Sequence, residues 1–335
     1  MALTIYDIQR LKETNYEKGI VETFIRNSDL MKVLPFQDVN TMQVQTRRMN
    51  SLPAVTWRQR GERFSDGGTP GWETVTDALY NIGAEINIDD ADMRDKGPYI
   101  VNPVEFNTEA KVKAIVYDFH DKVINGDHAS DPDSFEGIAV RIANLASAQT
   151  LYGASEIDIR PSDVTTALAQ SFLNRIDEAK YNLDGNGGGN VICLTDADWI
   201  RAFKNCLRVL GLYVNPPGTP TMTLKNARET SNEPGPNAGN VFDWDGVRYI
   251  DMGVKADQTT KIVATEVVSN ATRPAYFVKL GGNNLEVIQY GPLDVVEPRM
   301  IDDMVTYRGI ISWYVGLKHV HNRFGVKLAG TRVRT

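Results

Sequence analysis

Two periodicities organise the pattern of apolar and polar positions. In Pro103–Ile138, PVEFNTEAKVKAIVYDFHDKVINGDHASDPDSFEGI, the apolar Val112, Ile115, Val116, Phe119 and Val123 recur at helical spacing and lay one stripe along one face. Lys111, Lys113, Asp118, Asp121 and Lys122 fall mostly on the rest of the cylinder. The pattern predicts a helix ending at Asn125-Gly126, where glycine would tolerate the left-handed conformation of a closing turn. In residues 80–89 the period is two: Tyr80, Ile82, Ala84, Ile86 and Ile88 share one face, and Asn81, Gly83, Glu85, Asn87 and Asp89 share the other.

The second pattern belongs to a longer unit. Two extended stretches, Thr41–Arg60 and Gly71–Asp89, flank a turn-rich tip from Arg60 to Gly71 and predict a long β-hairpin. At about 3.3 Å per residue, such an arm reaches roughly 60 Å. A lone two-stranded ribbon is marginal in water, so the hairpin needs another surface. Its charges are sorted. Arg47, Arg48, Arg58, Arg60 and Arg63 face only Glu62 within residues 45–64, whereas Asp66, Glu73, Asp77, Glu85, Asp89 and Asp90 stand without a basic residue in 65–90. Pairing across the hairpin and pairing with a neighbouring copy both account for this. Ahead of it, residues 1–37 read as a helical arm in which Ile20, Phe24 and Met31, with Val21, Ile25 and Leu34, form a stripe that also needs a partner, and Pro35 ends it.

Beyond the long helix, residues 137–282 read as a mixed domain. Ser162 is the expected N-cap of a helix over Asp163–Tyr181 carrying Val164, Leu168, Phe172 and Ile176. Thr195 is the expected cap of the next, with Asp198 reciprocal and Trp199, Phe203, Leu207 and Leu210 buried. Strands are expected at Val191–Leu194, Lys261–Val268, Ala275–Lys279 and Leu285–Tyr290, a hairpin at Val241–Ile250 turning on Asp245-Gly246, and one or two long strands over Arg308–Leu328. Residues 215–240, with five of the 15 prolines, read as a long exposed loop.

Composition narrows the class. At 335 residues, 42% apolar and 24% charged, the chain has the make-up of a soluble globular protein of two or more domains. No run of 18 apolar residues spans a membrane, and the start of the chain lacks a secretory signal core, which places it in the cytoplasm. Cys193 and Cys206 fit small buried hydrophobes rather than a disulfide framework. The net charge of −7 is uneven: no acid follows Asp303, so the last 32 residues carry +6, and the 30 basic and 43 acidic residues before them leave −13. Such a basic end suits a polyanion, an acidic neighbour or a solvated strand edge.

Candidate chemistry is thin. The run Asp184–Asn190 is glycine-rich, but it follows a helix and precedes a strand, the reverse of a phosphate-binding loop, so it reads as a flexible connection. His319 and His321 would share a strand face, yet no third metal ligand is evident. His120 reads as a solvated residue between charged neighbours. Asp89-Asp90 and Asp302-Asp303 are adjacent pairs whose members point to opposite faces, not acid/base dyads. No catalytic residue, metal site or cofactor site is expected, and no interleaved basic–aromatic motif points to specific nucleic-acid recognition.

The order of arm, hairpin, long helix, mixed domain and final strands resembles the major capsid proteins of tailed bacteriophages, the Hong Kong 97-like α+β fold. Asp121–Ile138 resembles the end of that family's spine helix, and Ile311–Gly330, ISWYVGLKHVHNRFGVKLAG, its terminal strand. The resemblance implies an N-terminal arm at 1–37, an extended loop at 38–90, a peripheral domain at 91–136 and 283–335 with a spine helix at 103–125, and an axial domain at 137–282. It implies assembly through pentamers and hexamers into an icosahedral head around double-stranded DNA, without enzymatic activity, in a virion assembled in the host cytoplasm. The implied partners are further copies, a scaffolding protein that is separate or removed, a portal and a cement protein, with no membrane. Arg47, Arg48, Arg58, Arg60, Arg63, Glu73, Asp77, Ile20 and Phe24 are the expected inter-subunit contacts. No lysine lies between Lys32 and Lys96, so an isopeptide cross-link cannot start in the hairpin. The competing readings are an encapsulin-like nanocompartment shell and a soluble enzyme with an unrecognised site.

Overall fold

A computed structural model describes residues 28, 30–51, 53–64, 66–69, 71–94, 103–145, 149–212, 241–267, 270–282, 284–301 and 305–333. The arm carrying Ile20 and Phe24, the 215–240 loop and the Asp302-Asp303 pair lie outside them.

The chain enters the core at Leu30, Met31 and Leu34, where the helical stripe predicted for the arm closes as a turn. It continues through β1 (Phe36–Asp38) into β2 (Gln43–Ser51) and returns as β3 (Gly71–Ala78). Leu79 alone separates β3 from β4 (Tyr80–Asp89). The second arm is therefore not one strand of a hairpin: β3 pairs β2, whereas β4 leaves the hairpin and pairs a strand far along the chain. The two-residue alternation of β4 holds, with its apolar face inward.

Two helices follow, α1 (Asp90–Arg94) and the long α2 (Pro103–Asn125). Val112, Ile115, Val116, Phe119 and Val123 are all buried, as their spacing predicts. The helix ends at Asn125, but Gly126 is not in the left-handed region. Glycine is needed there because a Cβ would strike the Phe135 carbonyl, and a Cβ on Gly137 would lie 2.7 Å from the Gly126 nitrogen. The two glycines let the chain fold back on itself, closed by Gly137 N–H donating to Gly126 O at 2.8 Å.

After α3 (Ile138–Ala143), the short strands β5 (Thr150–Leu151) and β6 (Ile157–Asp158) lead into α4 (Thr166–Tyr181). Its cap is Thr165, whose hydroxyl accepts from Leu168 N; Ser162 instead donates to Asp163. Glycines at positive φ carry the chain from Asp184 to β7 (Val191–Thr195). Helix α5 (Ala197–Val209) then starts at Asp196 without a side-chain cap. Thr195 remains the last residue of β7, its hydroxyl donating to Pro274 O. Strands β8 (Val241–Trp244) and β9 (Val247–Asp251) turn on Asp245 and Gly246, at φ 48° and 74°. Of the strand expected at Lys261–Val268 only β10 (Glu266–Val267) forms, paired with β11 (Ala271–Thr272).

The remaining strands are β12 (Ala275–Lys279), β13 (Leu285–Gln289), β14 (Asp294–Met300), β15 (Thr306–His319), β16 (Gly325–Leu328) and β17 (Thr331–Arg332). The 14-residue β15 is central. One edge carries β4, and the other carries β14 and then β13, with β1 parallel to β13. A second, six-stranded sheet runs β5-β16-β12-β7-β9-β8.

Two cores result. The first joins α2 to the β15 sheet, with Phe119 and Trp313 rings 5.1 Å apart. The second sandwiches α4 and α5 on the six-stranded sheet around Phe172, Trp199, Phe203 and Tyr249. Val326, Leu328 and Val333 of the C-terminal segment belong to the second core, so the last strands serve both units. The cysteines are buried and free, as expected.

Candidate assembly interface

The residues singled out by charge separate into two environments on one hairpin. At its far end, residues 53–64 are exposed throughout. Ala54 N–H donates to Gly67 O at 3.0 Å and ties the tip together. The Arg58 guanidinium donates to Glu62 O and lies 5.0 Å over the Phe64 ring. Arg60 and Arg63 point into solvent, and Arg47 is exposed along the ladder. Between these cations sit apolar side chains with no cover: Trp57 is 99% exposed, and Val55, Phe64 and Trp72 are also exposed. The charge pattern did not disclose this cluster; contrary to the expectation of no interleaved basic–aromatic run, Trp57-Arg58-Gln59-Arg60 and Arg63-Phe64 mix aromatic and basic residues at the tip.

At the base the same hairpin is locked to its own chain. Arg48 is buried and donates through Nε and Nη2 to the His319 carbonyl, at 3.2 and 2.6 Å. Asp77 accepts at 2.9 Å from Arg141 Nη2, in an ion pair whose side chains are 4% and 6% exposed. Arg141 also donates to Glu136 O, to Leu317 O and, through Nη1, to His319 Nδ1 at 2.8 Å. Since Nδ1 accepts, the ring proton of His319 sits on Nε2. Burial and the guanidinium groups of Arg141 and Arg48 hold its pKa down at about 2, so the ring is neutral. Burial likewise lowers the Arg48 pKa, opposed by Asp77. Glu73 sits directly across the ladder from Arg48. Arg48 and Asp77, expected to meet a neighbouring copy, are thus placed inside the chain, in the wall of a half-open cleft of about 980 Å³.

The other candidates resolve similarly. Four of the six basic C-terminal residues pair with acids: Arg308 with Glu85, Lys318 with Glu286, Lys327 with Glu266 and Arg332 with Asp158. Four of the six charges behind the +6 are thus neutralised by acids of their own chain, Arg323 donates to the Asn182 and Tyr181 carbonyls, and Arg334 lies outside the described residues. His319 and His321 do not share a face: β15 ends at His319, and His321 lies exposed beyond it. His120 is not solvated. Ser28 Oγ accepts from Met31 N, leaving its proton for His120 Nε2 at 2.5 Å, and burial takes that ring's pKa down to about 4. Among the described residues no group of three or more His, Cys, Asp or Glu side chains could hold a metal, and no helix is long and apolar enough to cross a membrane.

A second uncovered surface lies on the outer side of the β15 sheet, where the cross-strand neighbours Val296 and Ile310 are both exposed and Tyr290 and Tyr314 stack edge-on, 6.5 Å apart.

No family model and no curated protein matches the sequence. Solved structures do match. The capsid of a native GTA particle superposes with a TM-score of 0.58 at 12% identity, over 91% of this chain and 90% of that one. The chain has the Hong Kong 97-like capsid fold. The holo-SrpI encapsulin complex from Synechococcus elongatus shares it, with a TM-score of 0.54 at 13% identity over 100% of this chain and 98% of that one. So does the capsid of Myoviridae phage XM1, at 0.52 and 12% identity over 87% and 86%. The α+β class is as expected, and among the described residues the hairpin, long helix, mixed domain and final strands follow in the expected order.

Proposed function

We propose that the chain is a shell-forming subunit, the major capsid protein of a tailed-phage-like particle, assembling as hexamers and pentamers into an icosahedral head around double-stranded DNA. The observation that carries this reading is the hairpin tip: Trp57, Phe64 and Trp72 stand in water on a ribbon whose base is riveted. Exposed aromatic clusters of this kind mark interaction sites. Covering the tip with a further copy, at Arg58, Arg60 and Arg63, gives these side chains the burial that their own chain does not.

In this reading residues 1–37 form the arm with Ile20 and Phe24 on its contact face, 38–90 the extended loop, 91–136 and 283–335 the peripheral domain with α2 as its spine, and 137–282 the axial domain. The second core follows this partition with β16 and β17 lent to it, whereas the first core also takes Ile192, Leu194, Ile250 and Val278 from the 137–282 span, so the two units share the six-stranded sheet. Scaffolding, portal and cement proteins are the proposed partners, with non-specific contact to packaged DNA in the virion. Without a lysine in the hairpin, subunits hold together through non-covalent interfaces, each burying about 2,000 Å² or more.

A second reading, an encapsulin-like compartment, is favoured by full-length similarity to the SrpI shell. Size-exclusion chromatography with electron microscopy of the purified protein tests both. Closed shells or capsomers support the proposal, and a stable monomer at high concentration overturns it. Nuclease-protected DNA against co-purifying protein cargo separates the head from the compartment.

A further inference from the structure

We propose that Arg48, Asp77, Arg141 and Gly316 form a fixed joint that sets the direction of the hairpin and so selects the geometry in which copies meet. The inference rests on the shell reading for its consequence, but the joint itself stands on the geometry within one chain.

The hairpin has a directional problem. Its two strands pair with each other, and among the described residues neither joins a larger sheet. Backbone continuity gives it two short connections, residues 39–42 from β1 and Leu79 to β4, and two adjacent connections at one end leave a ribbon able to swing. Three contacts, on both strands of the hairpin and at its exit, remove that freedom. On the β2 side, Arg48 crosses to the His319 carbonyl. On the β3 side, Asp77 takes Arg141, which is held by Glu136 O and Leu317 O and so cannot follow a moving hairpin. Between them, Gly316 lets the Ala78 backbone lie against β15: a Cβ at Gly316 would sit 2.6 Å from the Ala78 oxygen. One charged clasp on each strand and one close backbone approach at the exit hold the base against the body, and a ribbon held on both strands leaves in one direction.

The choice of chemistry fits the task. Two arginines present planar, multiply donating heads that specify orientation as well as attraction. His319 is kept neutral between them, so acidification does not load a third cation into the joint above a pH of about 2. The joint also leaves Asp77 Oδ2 and His319 Nε2 without partners in a buried setting. Full satisfaction would favour a different placement of these groups; the one present places the hairpin instead, as expected of a device retained for geometry rather than stability.

Two variants test this without removing the Arg141 anchor: Arg48→Met, which releases the β2 clasp, and Gly316→Ala, which wedges the pivot. Arg58→Ala at the tip is the control. In purified subunits, hydrogen exchange should accelerate by roughly tenfold or more at the amides of residues 43–48 and 75–78, the effect of losing a charge-assisted hydrogen bond, while α2 is unchanged. Spin labels at Gln59→Cys and Lys113→Cys, the native cysteines being buried, should give one narrow distance in the parent, a broad distribution with Arg48→Met and a displaced one with Gly316→Ala. Exchange and distances like the parent's in both variants would overturn the joint. Variants that lose the direction yet build shells of parental size and uniformity would overturn its role in assembly. A parent that builds no shells would sink the shell reading, with the exchange and distance results still deciding the joint.

Discussion

The tip and the base of one hairpin carry the same residue types in opposite circumstances. At the base, Arg48 and Asp77 lost their water and gained fixed partners; at the tip, Arg58, Arg60 and Arg63 kept it. A buried charge in a low-dielectric setting must be paired and then specifies geometry, whereas an exposed one is worth little until another molecule desolvates it. Reading charge along the strand treated both as one surface. Burial divides them into a structural set and an available set.

The largest expected effect falls at the base. Replacing Arg141 with Met leaves Asp77 as an unpaired buried carboxylate and should cost about 3–5 kcal/mol in urea unfolding. A loss below 1 kcal/mol would mean that the base is as solvated as the tip, and the contrast would fail.

Acidification should come next and should separate base from tip. Both His319 and His120 have folded pKa values depressed below the unfolded 6.5, so between these values the unfolded chain binds more protons than the folded one. Stability is then fullest above pH 6.5 and falls as pH drops, by about 2 kcal/mol per histidine between pH 7 and 5. His120→Gln should remove one such increment from the pH dependence of unfolding. An unchanged slope would show that this ring is solvated.

At the tip, Arg58, Arg60 and Arg63 changed together to Glu should alter monomer stability by no more than about 0.5 kcal/mol. The same change should impair assembly, read by electron microscopy; shells formed as in the parent would show that these charges meet no neighbour. Smallest of all in the monomer is Trp57→Ala, whose melting temperature should match the parent's while its shells dissociate at lower denaturant concentration.

What could be read from the chain was local. The β4 alternation, the α2 stripe and the Asp245-Gly246 turn each depend on neighbours a few residues away, and each forms as the pattern predicts. Capping was half legible: Thr165 and Asp196 compete with Ser162 and Thr195 a few positions off, and tertiary partners such as Pro274 decide. Strand β14 was missed because Pro298 interrupts it; proline is tolerated there because the strand lies at an edge and bulges between Val296 and Arg299. The alternation was read only over residues 80–89, and the boundary at the adjacent apolar Leu79 and Tyr80, where the phase breaks and the pairing partner changes, was missed. The base could not be read at all, since Arg141 and His319 lie 178 residues apart and meet only through the fold.

The single-residue passage from β3 to β4 has a mechanical consequence. The eight residues of β3 span roughly 26 Å at about 3.3 Å each, before the tip adds its own length. Over that reach a rotation of about 10° at Leu79 displaces the far end by roughly 4–5 Å, on the order of one strand spacing. Angular error is thus magnified with distance from the pivot, and positional tolerance at Trp57 is set by stiffness at Asp77.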